Sequence, residues 1–476
     1  MMGGTKMDKI SLKEIIKVTK AELVVNNEWS GSEGSEKAFR SPLVNYHVTG
    51  VTTDSRKITD GVLFIALKGE NFNGEDFAEE ALKKGAAAVI MSKTAKNFPN
   101  SKIILKVDDT LTAYQQIAKS WRDRFKIPVV AVTGSNGKTT TKDLTAAALN
   151  SLGTIQKTSA NYNNEIGVPL TLLGITEKTK AAVVEIGMRG LGQIESLSKI
   201  VQPNIGIVTN VSETHIEILG SMENIAKAKG ELVEAIPEGG TIILNADNEF
   251  TADMKKLAKP GVKIITYGIE KPSDLTAENI VIEDSATSFD LKYNGEIFKF
   301  SVPVIGRHNV SNALAAIAAG LTAGLSIKDI QEGFSTLVTT KMRFEVIRRD
   351  GVTIVNDAYN ASPASMRAAI QTVAEVYDGR KIAVLGDMLE LGTVAEKAHR
   401  EIGAELVKNN FDILITLGEL GKFIAEGAKD AGLKNIFVTS THEEAAKKII
   451  SIMQKDDTIL FKASHGMHME KIIELI

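Results

Sequence analysis

Three observations predict an α/β protein of three domains. The chain is too long for one core, short apolar runs alternate with amphipathic helical stripes, and a glycine-rich turn joins one such run to one such stripe. At 476 residues and about 100–200 residues per domain, three domains are expected. The composition, 43% hydrophobic and 24% charged, is that of ordinary globular material. With 56 basic and 59 acidic residues the net charge is −3, which predicts no affinity for nucleic acid or membrane surfaces. Cysteine is absent, so disulfides, thiolate metal sites and thiol catalysis are excluded. The first residues alternate lysine with apolar side chains, and no run approaches ~18 apolar residues, so a soluble cytoplasmic protein is expected. A Lys/Glu-rich composition without cysteine is also of the kind found in thermophiles.

The first domain is placed at 1–125. Its low-complexity stretch, Trp29-Ser-Gly-Ser-Glu-Gly-Ser-Glu36, is expected to be a surface loop. "VTGVTTDSRKITDGVLFIALKGENFNGEDFAEEALKKGAAAVI" then alternates short strands with one helix. Asp108-Asp109-Thr110 caps a helix whose stripe is Leu111, Tyr114, Ala118, Trp121 and Phe125, recurring at three- and four-residue spacing.

The central domain, 126–338, opens at Pro128. Residues 127–133, 181–188, 204–211 and 241–247 read as buried strands, and 306–321 as a late helix with Leu314, Ile317, Ala318 and Leu321 on one side. Strands alternating with helices imply a mainly parallel sheet covered on both faces, with ligands at the strands' carboxyl ends. The third domain, 339–476, brings strands at 352–359, 381–387, 412–418, 435–440 and 458–464. It is expected to be Rossmann-like, although Gly386 and Gly392 lack the G-x-G-x-x-G spacing of a dinucleotide site.

Chemistry concentrates at "VVAVTGSNGKTTTKDL", residues 129–144. An apolar strand runs into Gly134-Ser135-Asn136-Gly137-Lys138-Thr139-Thr140, and Leu144, Ala148 and Leu152 then mark a helix face. That arrangement aims backbone N–H groups and a positive helix end at an anion. Lys138 would reach the β- and γ-phosphates of a nucleoside triphosphate, and the Thr139 hydroxyl would hold Mg²⁺. The usual pattern, G-x-x-x-x-G-K-[ST], wants glycine at Val132, so this loop is short. Glu185 ends a buried strand, where an acidic residue ligates Mg²⁺ or orients a nucleophile. Asn210 and His215 follow another strand. Lys227 and Lys229, taken alone, read as a solvated helix face. Arg343, Asp357, Tyr359 and Asn360 stay open between structural and site roles.

Together these segments resemble the Mur ligases, ATP-dependent amide-forming enzymes of peptidoglycan synthesis. That family's phosphate loop has the short form G-x-x-G-K-[ST], so "TGSNGKTT" is intact rather than eroded. "EIGM", the histidine after "TN", "AKAKGE", "GRHNVSNALAA", "MRFE" and "NDAYN" fall in family order over nearly the whole chain. "NYNNEIGVPLTLL", "LGDMLELG" and "NDAYNASPASM" are most similar to the branch that adds D-alanyl-D-alanine to UDP-N-acetylmuramoyl-tripeptide. The Asp-Asn-Pro-Arg segment of the diaminopimelate-adding branch is missing. Ser362 and His465 depart from that branch, which has Asn and Arg there.

The resemblance implies a small uridine-nucleotide-binding first domain, an ATP-binding centre and an amine-binding third domain, in a monomer. It implies that Thr53, Ser55 and Arg56 contact the uridine diphosphate, that Asn163, Asn164, Tyr359 and Asn360 bind substrate, and that Asn309, Asn312, Arg343 and Asp357 hold ATP. Two Mg²⁺ ions are implied, one at Thr139 and Glu185, the other at His215 and Lys229, with Lys229 carbamylated so that it offers an anionic oxygen. The reaction implied passes through an acyl phosphate. The alternatives are another member of the family adding one amino acid, or a phosphate-loop switch or kinase.

Overall fold

The computed structural model describes residues 9–25, 28–31, 45–69, 72–100 and 103–476. Contacts divide the chain into two compact units. One comprises Met1–Val129, Leu152–Ile186 and Ser196–Gln202, the other Val130–Ser151, Gly187–Glu195 and Pro203–Ile476.

The first sheet region contains β1 (Ile10–Ser11), β2 (Glu22–Val25), β3 (Glu28–Gly31), β4 (His47–Val48), β5 (Val51–Thr52), β6 (Leu63–Ile65), β7 (Ala88–Ser92) and β8 (Ile103–Val107). β1 pairs with β4, and the other six form a sheet in the order β3-β2-β8-β7-β6-β5. β5 to β8 are parallel, and β2 is antiparallel to both its neighbours. Residues 29–31 thus belong to a strand where a loop is expected from composition. Pairing along the edge of β2 outweighs the weak propensity of Ser and Gly. Residues 32–36 of that stretch lie outside the described residues. The helix Thr110–Arg122 starts where its capping cluster predicts, with the Asp109 carboxylate accepting the Thr112 N–H at 2.6 Å. Tyr114, Ala118 and Trp121 of its stripe are buried and Leu111 and Phe125 half-buried, and Trp121 donates its indole N–H to Ile175 O at 2.9 Å.

The central region runs through β9 (Val129–Thr133), β10 (Thr154–Lys157), β11 (Thr179–Glu185), β12 (Ile205–Val208), β13 (Thr241–Asn245), β14 (Lys263–Gly268), β15 (Leu275–Ile282), β16 (Thr287–Tyr293) and β17 (Glu296–Val302). In the first unit β10 and β11 pair in parallel. In the second, β9, β12, β13, β14 and β15 lie side by side in parallel, and β16 and β17 extend the sheet as an antiparallel meander. The expected strands are present; β9 ends at Thr133 as expected, while β11, β12 and β13 stop two or three residues early, and the released residues, such as Asn210, become loop at the strands' carboxyl ends. The meander is absent from the sequence reading, yet it carries its own signal. Asn294-Gly295 turns with φ of 50° and 81°, as an Asn-Gly hairpin turn requires. The helix Arg307–Thr322 matches its expectation and is buried along most of its length.

The third sheet contains β18 (Glu345–Arg349), β19 (Val352–Asn356), β20 (Lys381–Gly386), β21 (Ile413–Leu417), β22 (Asn435–Thr439) and β23 (Thr458–Lys462), ordered β18-β19-β23-β20-β21-β22. Only β18 is antiparallel. Alternate residues face two cores. Val355, Ala383, Leu385, Leu414 and Leu460 pack in one cluster, Ile354, Val384, Ile415, Ile459 and Phe461 in the other. Near-continuous apolar strands covered on both faces are what a parallel sheet demands. No helix among the described residues is long and apolar enough to cross a membrane.

Candidate active site

All five residues of β9 are buried, and the chain leaves it through Gly134 at φ 146°. A Cβ there would stand 1.9 Å from Thr209 Oγ1, and one at Gly137 (φ 79°) 2.5 Å from Asn312 Oδ1. Only glycine fits either place. The loop between them is held by its neighbours. Ser135 N–H donates to Asn210 O at 2.8 Å, Asn136 N–H to Asn210 Oδ1 at 2.9 Å, and Thr209 Oγ1 to Asn136 O at 2.6 Å. Lys138 Nζ folds back onto Gly134 O (2.8 Å) and Ser135 O (3.0 Å). The next helix, Lys138–Ala148, makes its first internal bond from Thr141 N–H to Gly137 O. The N–H groups of Thr139 and Thr140 therefore point past the helix end, where an anion is stabilised.

Residues that flank the third sheet's strands reach this loop. Arg343 Nη2 donates to Thr139 Oγ1 at 3.1 Å, and its guanidinium lies 3.9 Å from the centre of the Tyr359 ring. Tyr359 stacks in turn on His465, with centroids 5.4 Å apart. Ser362 Oγ donates to Asn136 Oδ1 at 2.9 Å while also capping the helix Pro363–Val376. Asp357 accepts Phe344 N–H at 3.1 Å and pairs with the buried Lys462 at 2.5 Å, which also donates to Asn360 O at 3.0 Å. Burial pulls the Lys462 ammonium below its ordinary value, against the opposing charge of Asp357. Asp143, on the loop's helix, accepts Thr340 Oγ1 at 2.7 Å and so ties down the segment leading to Arg343. Thr140, Asp143, Ile305, Asn309, Thr340 and Arg343 line a cavity of about 370 Å³, within the range of ligand sites. Asn312 instead braces the fold, donating to Asn309 Oδ1 at 2.9 Å and accepting Thr141 Oγ1 at 3.1 Å.

His215 precedes the short helix Ile216–Leu219 at φ 58°, and its Nδ1 is 2.5 Å from Glu390 Oε2. The two lysines of "AKAKGE" separate cleanly on the helix Met222–Ala235. Lys227 is exposed, whereas Lys229 is 2% exposed. Burial, and then the charge of Lys138, push the Lys229 ammonium well below its ordinary value, because both act against the charged form.

In the first unit, Glu185 at the end of β11 is 1% exposed. Its Oε1 accepts Asn163 Nδ2 at 2.8 Å, and its Oε2 is buried without a partner among the described residues. Asn164 Oδ1 accepts Gly167 N–H at 2.9 Å, serving the start of a helix. Thr53 and Ser55 are half-buried, and Arg56 is 86% exposed in a bidentate pair with Asp54 at 2.9 Å. Hydrogen bonds from Arg56 hold the Asp54 carboxyl down at about 2. No three His, Asp or Glu side chains converge among the described residues. A cation would thus need other donors as well, such as hydroxyls, a modified lysine or phosphate oxygens.

Glu390, Lys462, Asp143 and the contact of Ser362 escape the sequence reading, because each depends on a partner far away in the chain. The third domain has no free anion site at the start of the helix Gly421–Asp430. Asp387 Oδ1 already accepts Leu420 N–H (3.0 Å) and Gly421 N–H (2.8 Å) there, in keeping with the missing dinucleotide spacing.

Three family models match this chain: the Mur ligase family catalytic domain at residues 47–122, the Mur ligase middle domain at 132–320 and the Mur ligase glutamate ligase domain at 342–465. UDP-N-acetylmuramoyl-tripeptide–D-alanyl-D-alanine ligase of Bacillus subtilis is 42% identical, covering 90% of this chain and 93% of the relative. The Escherichia coli protein of the same name is 35% identical, with the same two coverages of 90% and 93%. Among solved structures, MurF from Acinetobacter baumannii superposes with a TM-score of 0.88 at 29% identity, covering 98% of this chain and 99% of that one. A MurF ligase from Thermotoga maritima in complex with ADP gives 0.78 at 28% identity, covering 89% and 96%.

Proposed function

Because the chain belongs to the Mur ligase family, we propose that it is the ATP-dependent ligase that adds D-alanyl-D-alanine to UDP-N-acetylmuramoyl-tripeptide in peptidoglycan precursor synthesis. The free carboxylate of the tripeptide attacks the γ-phosphorus of ATP, the bond to the bridging oxygen breaks, and ADP leaves an acyl phosphate behind. The dipeptide amine then attacks the acyl carbon and loses a proton, and phosphate departs with one of the original carboxylate oxygens. Such a reaction asks the protein for positioning and charge stabilisation more than for covalent help.

The residues divide that work. The N–H groups after Gly137 cradle phosphate, and Lys138 exchanges its contacts with Gly134 O and Ser135 O for phosphate oxygens. Arg343 brings a second positive charge to the same loop, held over the Tyr359 ring. The cavity beside Asn309 takes the adenosine end. Thr53, Ser55 and Arg56 serve the uridine diphosphate; Asn163, Asn164, Tyr359 and Asn360 serve the peptide and amine.

Mg²⁺ suits the donors available. Glu185 keeps an unpartnered buried oxygen, Thr139 offers a hydroxyl, and His215 keeps Nε2 when its Nδ1 faces Glu390. Glu185 and Thr139 are proposed for one ion, His215 and Lys229 for another. When bound, Mg²⁺ offsets the charge on the β- and γ-phosphates. A neutral Lys229 adds CO₂ and releases a proton, giving a carbamate, and its burial supports that reading. The protein is proposed to act in the cytoplasm as a monomer.

The observation that carries the proposal is the reach of Arg343 and Ser362 onto the phosphate loop. Phosphate release should require the nucleotide tripeptide and D-alanyl-D-alanine together. Equal turnover with L-lysine or diaminopimelate, on the nucleotide lacking its third residue, would move the chain to a neighbouring branch. Turnover without any amine would favour a switch or kinase.

A further inference from the structure

The segment from Asp387 to Gly392 is pinned along its length. Met388 N–H donates to His399 Nε2 and Leu389 N–H to Ser464 Oγ, both at 2.9 Å, while Asp387 O accepts Ser464 N–H at 3.0 Å. His399 is fully buried, and its Nδ1 donates to Ala395 O at 2.6 Å. A carbonyl can only accept and an amide N–H can only donate, so His399 is the neutral Nδ1–H tautomer. Glu390 stands at the apex of this held loop.

There it meets His215 in an unusual way. Both residues lie in the left-handed region, Glu390 at φ 62° and His215 at φ 58°. Glu390 Oε2 is 2.5 Å from His215 Nδ1, an ion-pair contact, and that buried nitrogen makes no hydrogen bond of regular geometry to any described residue. The backbones also meet, with Glu217 N–H donating to Glu390 O at 3.4 Å. A half-exposed pair of this kind adds little to stability, and two strained non-glycine backbones cost more than it contributes. Strain kept at such a contact points to a role in the site.

We propose that Glu390 is the positioning residue for His215: by accepting the proton on Nδ1 it fixes the ring's orientation and tautomer, and so presents Nε2 to a divalent cation. A histidine ligand is commonly oriented by a carboxylate on its other nitrogen. Here the carboxylate comes from the third domain's β20–β21 connection and the imidazole from the central domain, so the ligand is ready only while that connection is docked. This rests on the reading of His215 as a metal ligand, and its test separates the two.

The test uses the full chain, histidine-labelled with ¹⁵N, first without metal. The wild type should show His215 as the Nδ1–H tautomer, assigned by its absence in H215A. E390A should convert it to the Nε2–H form that free histidine side chains prefer. Mn²⁺ titrations with ADP bound, followed by the electron spin resonance of free Mn²⁺, supply the second readout. E390A should weaken one Mn²⁺ site about 10- to 100-fold. E390Q, whose amide oxygen still accepts the Nδ1 proton, should keep the tautomer and lose less. H215A should lose at least as much as E390A. If H215A leaves every Mn²⁺ affinity unchanged, His215 is not a ligand and the underlying reading falls. If H215A weakens Mn²⁺ while E390A keeps both the tautomer and wild-type affinity, the role of Glu390 is overturned.

Discussion

Arg343 Nη2 donates to Thr139 Oγ1 at 3.1 Å, joining residues 204 positions apart. The same guanidinium lies over the Tyr359 ring, 3.9 Å from its centre, so its position is set before any nucleotide arrives. Preorganised charge of this kind is worth about 10²–10³ in rate. R343A should lower kcat by that factor in a phosphate-release assay, with an unchanged circular dichroism spectrum. R343K should recover little, because an ammonium cannot stack on the ring and present a planar fork.

Ser362 spends its hydroxyl on Asn136 of the phosphate loop and on its own helix cap, so a part in nucleotide handling is proposed for it. S362A should raise KM for ATP about 2- to 10-fold, the worth of one hydrogen bond. The ranking of amines in a dipeptide panel should stay as in the wild type. A changed ranking with an unchanged KM for ATP would assign Ser362 to the acceptor instead.

Lys229 is buried and Lys227 exposed on one helix. K229A should abolish most turnover, and formate or acetate should restore part of it by supplying the missing carboxylate. K227A should show neither effect. Full activity of K229A would remove the carbamate from the account.

Alkaline stability offers a check away from the site. Burial raises the phenol pKa of Tyr114 above its ordinary value. Above about pH 10 the unfolded chain loses this proton while the folded chain keeps it, so the unfolded state binds fewer protons and stability falls as pH rises. Y114F should lessen the drop in urea midpoint between pH 8 and pH 10.5 and leave the midpoint at pH 8 nearly unchanged.

What could be read from the sequence follows from the range of each constraint. Gly134 and Gly137 answer to backbone angles and close neighbours, so the phosphate loop shows in a few consecutive letters. The parallel strands show because both their faces are buried. The β15–β17 meander has partly exposed strands, and its one clear mark, Asn294-Gly295, is a single dipeptide. Glu390 resembles any loop glutamate until His215, 175 positions earlier, is found beside it. Lys462 reads as one more lysine at the end of a strand until Asp357 and Asn360 O close around it. Residues whose partners lie in another domain carry no local signature.

In the proposed reaction phosphate passes from ATP to the tripeptide carboxylate before the amide forms. Turnover with a tripeptide whose terminal carboxylate carries ¹⁸O in both oxygens tests this most directly, by mass analysis of the released phosphate. One ¹⁸O is expected in each phosphate released, with the other retained in the new amide. Phosphate free of ¹⁸O, released at the same rate as amide, would contradict it.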